Sequence, residues 1–323
     1  MRTIAVVGGG NSSEFDISVK SAAEVKKALE ENYEVYLVSI RGTDWYWEDP
    51  SGRYIPVNKD NFTLRLPDKT IRFDAAFIAI HGTPGENGLL QGYFDMVGVP
   101  YSSCDAFCSA LTFNKHVCKL FLKEYGIPMA SSIMLRKGQP VDKKIIGDRV
   151  GYPCFVKPNN SGSSVGVTRV EDEGGLKNAI DIAFEEDREV LIESIMEGTE
   201  VACGIFKSGS GDIIFPVTEL ISKNKFFDYE AKYTPGLADE ITPAGIETGV
   251  YNRVQELSSS IYDHLGCKGI VRIDFIIVDS NPMFLEINSI PGMTPESIIP
   301  GQIKAYGSTP AEIYSLVIED LFQ

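Results

Sequence analysis

Two stretches of this 323-residue chain carry side chains whose types and spacing suit cation and polyphosphate chemistry. The sharper one runs Arg272-Ile273-Asp274-Phe275-Ile276-Ile277-Val278, then Asp279-Ser280-Asn281-Pro282, then Met283-Phe284-Leu285-Glu286-Ile287-Asn288. The turn-forming residues in its middle predict a hairpin. Pairing about Ser280 sets Arg272 opposite Asn288 and Asp274 opposite Glu286. Strand alternation then puts these four on one face and Ile273, Phe275, Leu285 and Ile287 on the other. Two carboxylates directly opposite repel by up to about 1 kcal/mol. A divalent cation between them reverses the sign, and oxygen ligands from Asp, Glu and Asn suit hard Mg²⁺, which takes its remaining ligands from water and phosphates. The pattern also accommodates an exposed polar face in which Arg272 neutralises one acid.

The second stretch is Val156-Lys157-Pro158-Asn159-Asn160-Ser161-Gly162-Ser163-Ser164-Val165-Gly166-Val167. Small side chains between two apolar strands let backbone N–H groups approach a polyphosphate while Lys157 supplies charge. It is no Walker A loop, because no Gly-Lys-Ser/Thr follows and no helix opens there; a plain surface turn would read the same way. Near the N-terminus, Gly8-Gly9-Gly10-Asn11-Ser12-Ser13-Glu14 follows a first strand, but Ser13 stands where a dinucleotide fingerprint needs its last glycine. A pocket at the first helix, with Glu14 holding an ammonium group, is the alternative. His81 ends another strand and either serves that pocket or is structural. Phe226-Phe227-Asp228-Tyr229-Glu230-Ala231-Lys232-Tyr233 is too aromatic for a plain solvent loop and either packs down or closes as a lid. Lys115, Lys157, Lys232 and Arg272 are the cations to gather around an anionic ligand.

The elements that must position these groups alternate strand and helix over the first hundred residues: strands at Ile4–Val7, Tyr33–Ile40 and Asp74–Ile80, helices after the glycine loop and near Leu89–Val97, and an irregular set of short strands across 41–73. That alternation implies an α/β fold with a parallel doubly wound sheet whose ligands sit beyond the strands' carboxyl ends. From about Cys104 the pattern changes to a helix near Asn114–Tyr125, short strands with Gly-rich turns, a helix near Gly175–Phe184, an aperiodic loop over 222–246, a helix near Val250–Leu265 and a terminal helix from Pro310. Hydrophobic residues make up 43% and charged residues 23%, which excludes a disordered chain or a coiled-coil rod. Thirty Lys+Arg against 45 Asp+Glu leave a net charge of −15, which disfavours nucleic acid and anionic membranes as partners. The six cysteines form no CxxC pair and, with only three histidines, read as reduced core thiols of a cytoplasmic protein.

Taken together and in order, Gly8–Ser18, His81-Gly82, Lys157–Val167, Tyr229–Tyr233, Arg272–Asp274 and Glu286–Met293 resemble the D-alanine–D-alanine ligases of the ATP-grasp superfamily nearly end to end. The resemblance implies an N-terminal substrate-binding α/β domain (1–103) followed by a two-part ATP-grasp fold, with a central part (104–192) and a C-terminal part (193–323) bearing the lid loop 222–246. It implies ATP and two Mg²⁺ or Mn²⁺ ions, the latter on Asp274, Glu286 and Asn288. Lys115, Lys157 and Ser164 would contact phosphates, Glu193, Ile195, Met196, Glu200 and Phe226 would line the nucleotide pocket, and Lys232 would sit by the transferred phosphate. Glu14, linked to Ser163 and Tyr233, would hold the first D-alanine, with His81 in the same pocket. Arg272 and the Gly292 amide would stabilise an oxyanion, and Ser297 would bind the second D-alanine. The expected chemistry is an acylphosphate route to D-alanyl-D-alanine for peptidoglycan precursors, in a cytoplasmic homodimer. D-lactate or D-serine as acceptor, or a nucleotide-binding regulator without catalysis, are the rival readings.

Overall fold

The computed structural model describes residues 1–162, 165–209, 211–222 and 238–323. Three sheets carry the chain. The first contains β1 (Thr3–Gly9), β2 (Glu34–Arg41), β3 (Asp44–Glu48), β4 (Tyr54–Asn58), β5 (Thr63–Arg65), β6 (Thr70–Arg72) and β7 (Ala75–Ile78), with helices α1 (Phe15–Leu29) and α2 (Leu89–Val97). Its order is β6-β5-β4-β3-β2-β1-β7. β1 is parallel to both β2 and β7, so the wound parallel core spans those three strands, and residues 41–73 extend it as an antiparallel meander. Both faces of β1 are covered, by α1 and the C-terminal helices on one side and by α2 with the aromatic meander on the other. That is why Ile4–Val7 is apolar without alternation.

The second sheet, of order β10-β9-β11-β8, is antiparallel and comprises β8 (Ser132–Arg136), β9 (Cys154–Pro158), β10 (Thr168–Val170) and β11 (Glu189–Ser194). Helices α5 (Lys143–Arg149) and α6 (Glu173–Glu186) cover it. Before it come α3 (Ala106–Phe113) and α4 (Lys115–Lys123), each started by a side-chain cap, Asp105 accepting from the Cys108 N–H and Asn114 from the Val117 N–H. The apolar faces of these two helices (Cys108, Leu111, Cys118, Leu122) bury against the third sheet.

That third sheet holds β12 (Thr199–Ser208), β13 (Gly211–Ile214), β14 (Thr218–Ser222), β15 (Ala238–Ile241), β16 (Val271–Val278) and β17 (Asn281–Asn288), in the order β15-β14-β12-β16-β17 with β13 beside β12. Helix α7 (Thr248–Leu265) packs on it, and α8 (Ile298–Tyr306) and α9 (Pro310–Asp320) return to the first sheet. The stretch 222–246, expected to be one aperiodic loop, contains β15, paired antiparallel with β14. The pairing is with a strand earlier in the chain, so no local period announces it.

Candidate functional site

Hairpin β16–β17 sets the expected pairs, Arg272 opposite Asn288 and Asp274 opposite Glu286, by a route that strict alternation does not anticipate. The turn is a two-residue one: Asp279 and Ser280 both have positive φ (48° and 62°), the conformation that suits right-twisted strands. From that turn Val278 pairs with Asn281 and Phe275 with Phe284. A bulge between Asp274 and Phe275 then absorbs one residue, Leu285, before Glu286 arrives opposite Asp274. The expectation that Leu285 lies on the core face is corrected accordingly: Phe284 takes that place, edge-on to Phe275 with ring centroids 6.4 Å apart.

On the polar face Asp274 is 3% exposed, and both its oxygens are engaged. Arg272 donates through Nε and a terminal nitrogen, each at 2.8 Å, and Asn288 Nδ2 donates at 3.0 Å. Burial works against the Arg272 charge, but Asp274 outweighs it and holds the guanidinium pKa above its usual value.

Lysines meet this hairpin from the second sheet and from α4. Lys115, the first residue of α4, donates to the Ser161 carbonyl at 2.8 Å and stands 3.5 Å from a Glu286 oxygen, so one ammonium joins the small-residue loop to the acidic hairpin. Asn159, wholly buried at the start of that loop, accepts from the His116 N–H at 2.8 Å and donates to Glu189 at 2.9 Å, fixing the loop to α4 and β11. Lys157 on β9 pairs with Glu193 on β11, and Lys119, one helical turn beyond Lys115, takes the other oxygen of the same carboxylate. All three are over 90% buried. Burial alone would raise the Glu193 pKa; the two lysines more than reverse this and bring it to about 2. Lys157 is burdened by burial but raised on balance by Glu193 and Glu286, whereas at Lys119 burial prevails and lowers the pKa.

The first sheet supplies the third side. Beyond β1, Glu14 sits 9% exposed, and Gly162 packs directly on it: a Cβ at 162 would lie 2.5 Å from Glu14 Oε2 and push that carboxylate aside. Beyond β7, His81 bridges Ser21 Oγ (Nε2, 3.0 Å) and the Ile290 carbonyl (Nδ1, 2.9 Å). A carbonyl only accepts, so Nδ1 carries the proton. Burial keeps the ring neutral by lowering its pKa against the pull of Glu14. Glu86 accepts from the Gly82 N–H at 2.6 Å; burial and the neighbouring Glu14 charge raise its carboxyl to about 7. In the loop after β17, Gly292 lies against Ser297, whose hydroxyl is 2.9 Å from Thr294 Oγ1.

The fold therefore brings together Arg272, Asp274, Glu286, Asn288, Lys115, Lys157 and Glu193 on one side and Glu14 with His81 on the other, joined by the loop at 161–162. Ile195 and Met196 follow Glu193 on the connection into β12, and Glu200 is the second residue of that strand. Ser163, Ser164, Phe226, Lys232 and Tyr233 lie outside the described residues. Sequence reasoning passed over Lys119, Glu86 and Asn159. Lys119 had a signal, its i,i+4 spacing from Lys115 on one helix face; Glu86 had only its place in the Gly-rich stretch after His81.

Two antiparallel sheets joined through Lys115 and Glu286, with buried lysines set against an acidic hairpin, are the arrangement of an ATP-grasp enzyme. Family profiles described as D-ala D-ala ligase N-terminus and D-ala D-ala ligase C-terminus match residues 3–104 and 121–319. A D-alanine--D-alanine ligase of Phocaeicola vulgatus is 46% identical over 323 residues, covering 99% of each chain. Among solved structures, the VanG D-Ala:D-Ser ligase from Enterococcus faecalis superposes with a TM-score of 0.88 at 32% identity, covering 99% of each chain. The D-alanine--D-alanine ligase from Bacillus anthracis complexed with ATP does so with a TM-score of 0.81 at 27% identity, covering 100% of this chain and 98% of that one. The chain belongs to the D-alanine–D-alanine ligase family.

Proposed function

We propose that this protein joins two D-alanines at the expense of ATP, releasing ADP and phosphate, to supply D-alanyl-D-alanine for peptidoglycan precursors. The observation that carries this reading is the acidic face Asp274–Glu286–Asn288 meeting Lys115 and Lys157 across the Gly162 loop, which itself touches Glu14. Lys115 and Lys157 gather the phosphates, with Ser164 and Lys232 assigned beside them by family resemblance. Because both oxygens of Glu193 face lysines, the adenine contact expected from this position falls to the main chain of 193–196, with Ile195, Met196, Glu200 and Phe226 lining the pocket. Glu14 anchors the ammonium of the first D-alanine, and Ser163, Tyr233 and His81 complete that pocket.

The carboxylate of this D-alanine attacks the γ-phosphate, forming an acylphosphate. The amine of the second, held by Ser297, attacks the acyl carbon, and phosphate leaves. Arg272 and the Gly292 amide offset charge on the tetrahedral oxygen, where a preorganised donor contributes about 3 kcal/mol. The all-oxygen donor set of Asp274, Glu286 and Asn288 fits two Mg²⁺ or Mn²⁺ ions, which when bound supply charge neutralisation for phosphoryl transfer. Since Arg272 now engages both Asp274 oxygens, the hairpin has one cation-neutralised acid ready to exchange partners. Shielding the acylphosphate from water is the task assigned to the 222–246 segment.

The same reading keeps the three-part division at 103/104 and 192/193, a cytoplasmic location and a homodimer as proposals. The charge of −15 supports the exclusion of nucleic acid, and none of the described helices is long and apolar enough to cross a membrane. The test is ADP release with Mg-ATP across D-alanine, L-alanine, D-serine and D-lactate, with chromatography of the product. D-alanine-dependent ADP release with dipeptide formation is the expected result. ADP release without dipeptide, or a preference for D-serine or D-lactate as acceptor, would reject the assignment.

A further inference from the structure

Three cysteines distant in sequence meet in the core beneath α3 and α7. Cys104 lies in the connection out of the first sheet, Cys108 in the first turn of α3, and Cys267 in the turn between α7 and β16. Their sulfurs lie within 4.8 Å of one another, with Cys108 and Cys267 at 3.8 Å, and the residues are 0%, 1% and 7% exposed. Thiols also serve as small apolar core side chains, and Cys154 and Cys203, each fully buried, sit apart from this group. Two features set the trio apart from such packing. Three sulfurs around one ion at a bond length of about 2.3 Å stand about 3.8 Å apart in a tetrahedron and about 4.0 Å in a trigonal plane; Cys108 and Cys267 stand at 3.8 Å, and Cys104 lies within 4.8 Å of both. The surroundings of Cys104 also favour thiolate. The Lys268 N–H points to the Cys104 sulfur at 3.5 Å, and the α3 N-terminus, which favours negative charge, opens between Cys104 and Cys108. Lys268 and Asp105, 3.8 Å apart, lie beside the trio.

We propose that Cys104, Cys108 and Cys267 form a structural site for one thiophilic d¹⁰ cation of the Zn²⁺ or Cd²⁺ class. Binding replaces three S–H bonds with three sulfur–metal bonds and releases three protons to solvent; no electrons move. The Lys268 carbonyl, 3.4 Å from the Cys104 sulfur, offers an oxygen for a fourth position. Such an ion ties the exit from the first sheet to the turn that leads directly into Arg272 and Asp274, so it acts on stability and on the seating of β16 rather than on the reaction.

Zinc content is measured by elemental mass spectrometry on full-length protein made in zinc-supplemented medium and kept reduced. Cd²⁺ is also added to the protein during refolding, following the ultraviolet thiolate-to-cadmium band. About one ion per chain is expected, falling at least about tenfold in Cys108→Ser and Cys267→Ser while Cys154→Ser keeps it. Far-UV circular dichroism and ADP release report that each variant is folded. Wild-type protein with less than about a tenth of an ion per chain and no cadmium band overturns the site, as does a band of equal size in the folded serine variants.

Discussion

Glu193 is the residue at which removing the two ends of the same ion pair has unequal consequences. Its carboxylate lies between Lys119 and Lys157, all three over 90% buried. A fall in pKa from 4.5 to about 2 corresponds to about 3 kcal/mol of folding free energy held by the ionised form. Glu193→Gln removes this and leaves two buried ammonium groups without the carboxylate they share, so about 3 kcal/mol is the expected loss at neutral pH. Lys119→Met removes a cation that burial already disfavours and leaves a neutral Glu193–Lys157 pair, so its cost is below about 1 kcal/mol. The sign with pH follows from the lowered Glu193 value. Its contribution is fully present above about 4.5 and is lost as pH falls toward 2, so wild type and Glu193→Gln converge in acid. Urea unfolding of both variants at pH 7, 5 and 3, followed by circular dichroism, measures this. Equal destabilisation by the two substitutions, or a Glu193→Gln deficit that stays constant with pH, would refute the electrostatic account.

Glu286→Gln, at a side chain 22% exposed, is expected to shift stability by less than about 1 kcal/mol while lowering kcat at least about a hundredfold, read by ADP release beside a thermal melt. Deleting Leu285 removes the bulge yet leaves Glu286 next after Phe284, so regular pairing still sets it opposite Asp274; ADP release and far-UV circular dichroism should both persist, and loss of activity in a folded variant would show that the bulge itself seats Glu286. Glu86 has its pKa raised to about 7 by burial and Glu14, so its contribution is present below about 4.5 and lost as pH rises through 7. Glu86→Gln should therefore flatten the decline in melting temperature between pH 5 and 8; an unchanged slope would place that titration elsewhere.

Much of the site could be read from residue order. The turn residues at 279–282 and the acid spacing either side of them announce a hairpin with Asp274 facing Glu286, because strand period and turn chemistry are local properties. The small-residue run after Lys157 was likewise legible as a loop that lets backbone come close, and Gly162 against Glu14 is that closeness realised. The bulge at Leu285 was not, since an extra residue in one strand is invisible until its partner is known. Nor was β15, which depends on β14, or the allegiance of α3 and α4, whose apolar faces fit more than one sheet.

Residue types and spacing thus determined which groups carry charge, where strands and helices begin, and which acids share a face, all of which short-range sterics and periodicity dictate. Only the tertiary structure decided that Lys119 shares Glu193 with Lys157, that His81 spans Ser21 and Ile290, and that Cys104, Cys108 and Cys267 meet. These contacts join positions 36 to 209 residues apart or more than one element at once, and burial, which sets their strength, exists only after the sheets have closed on each other.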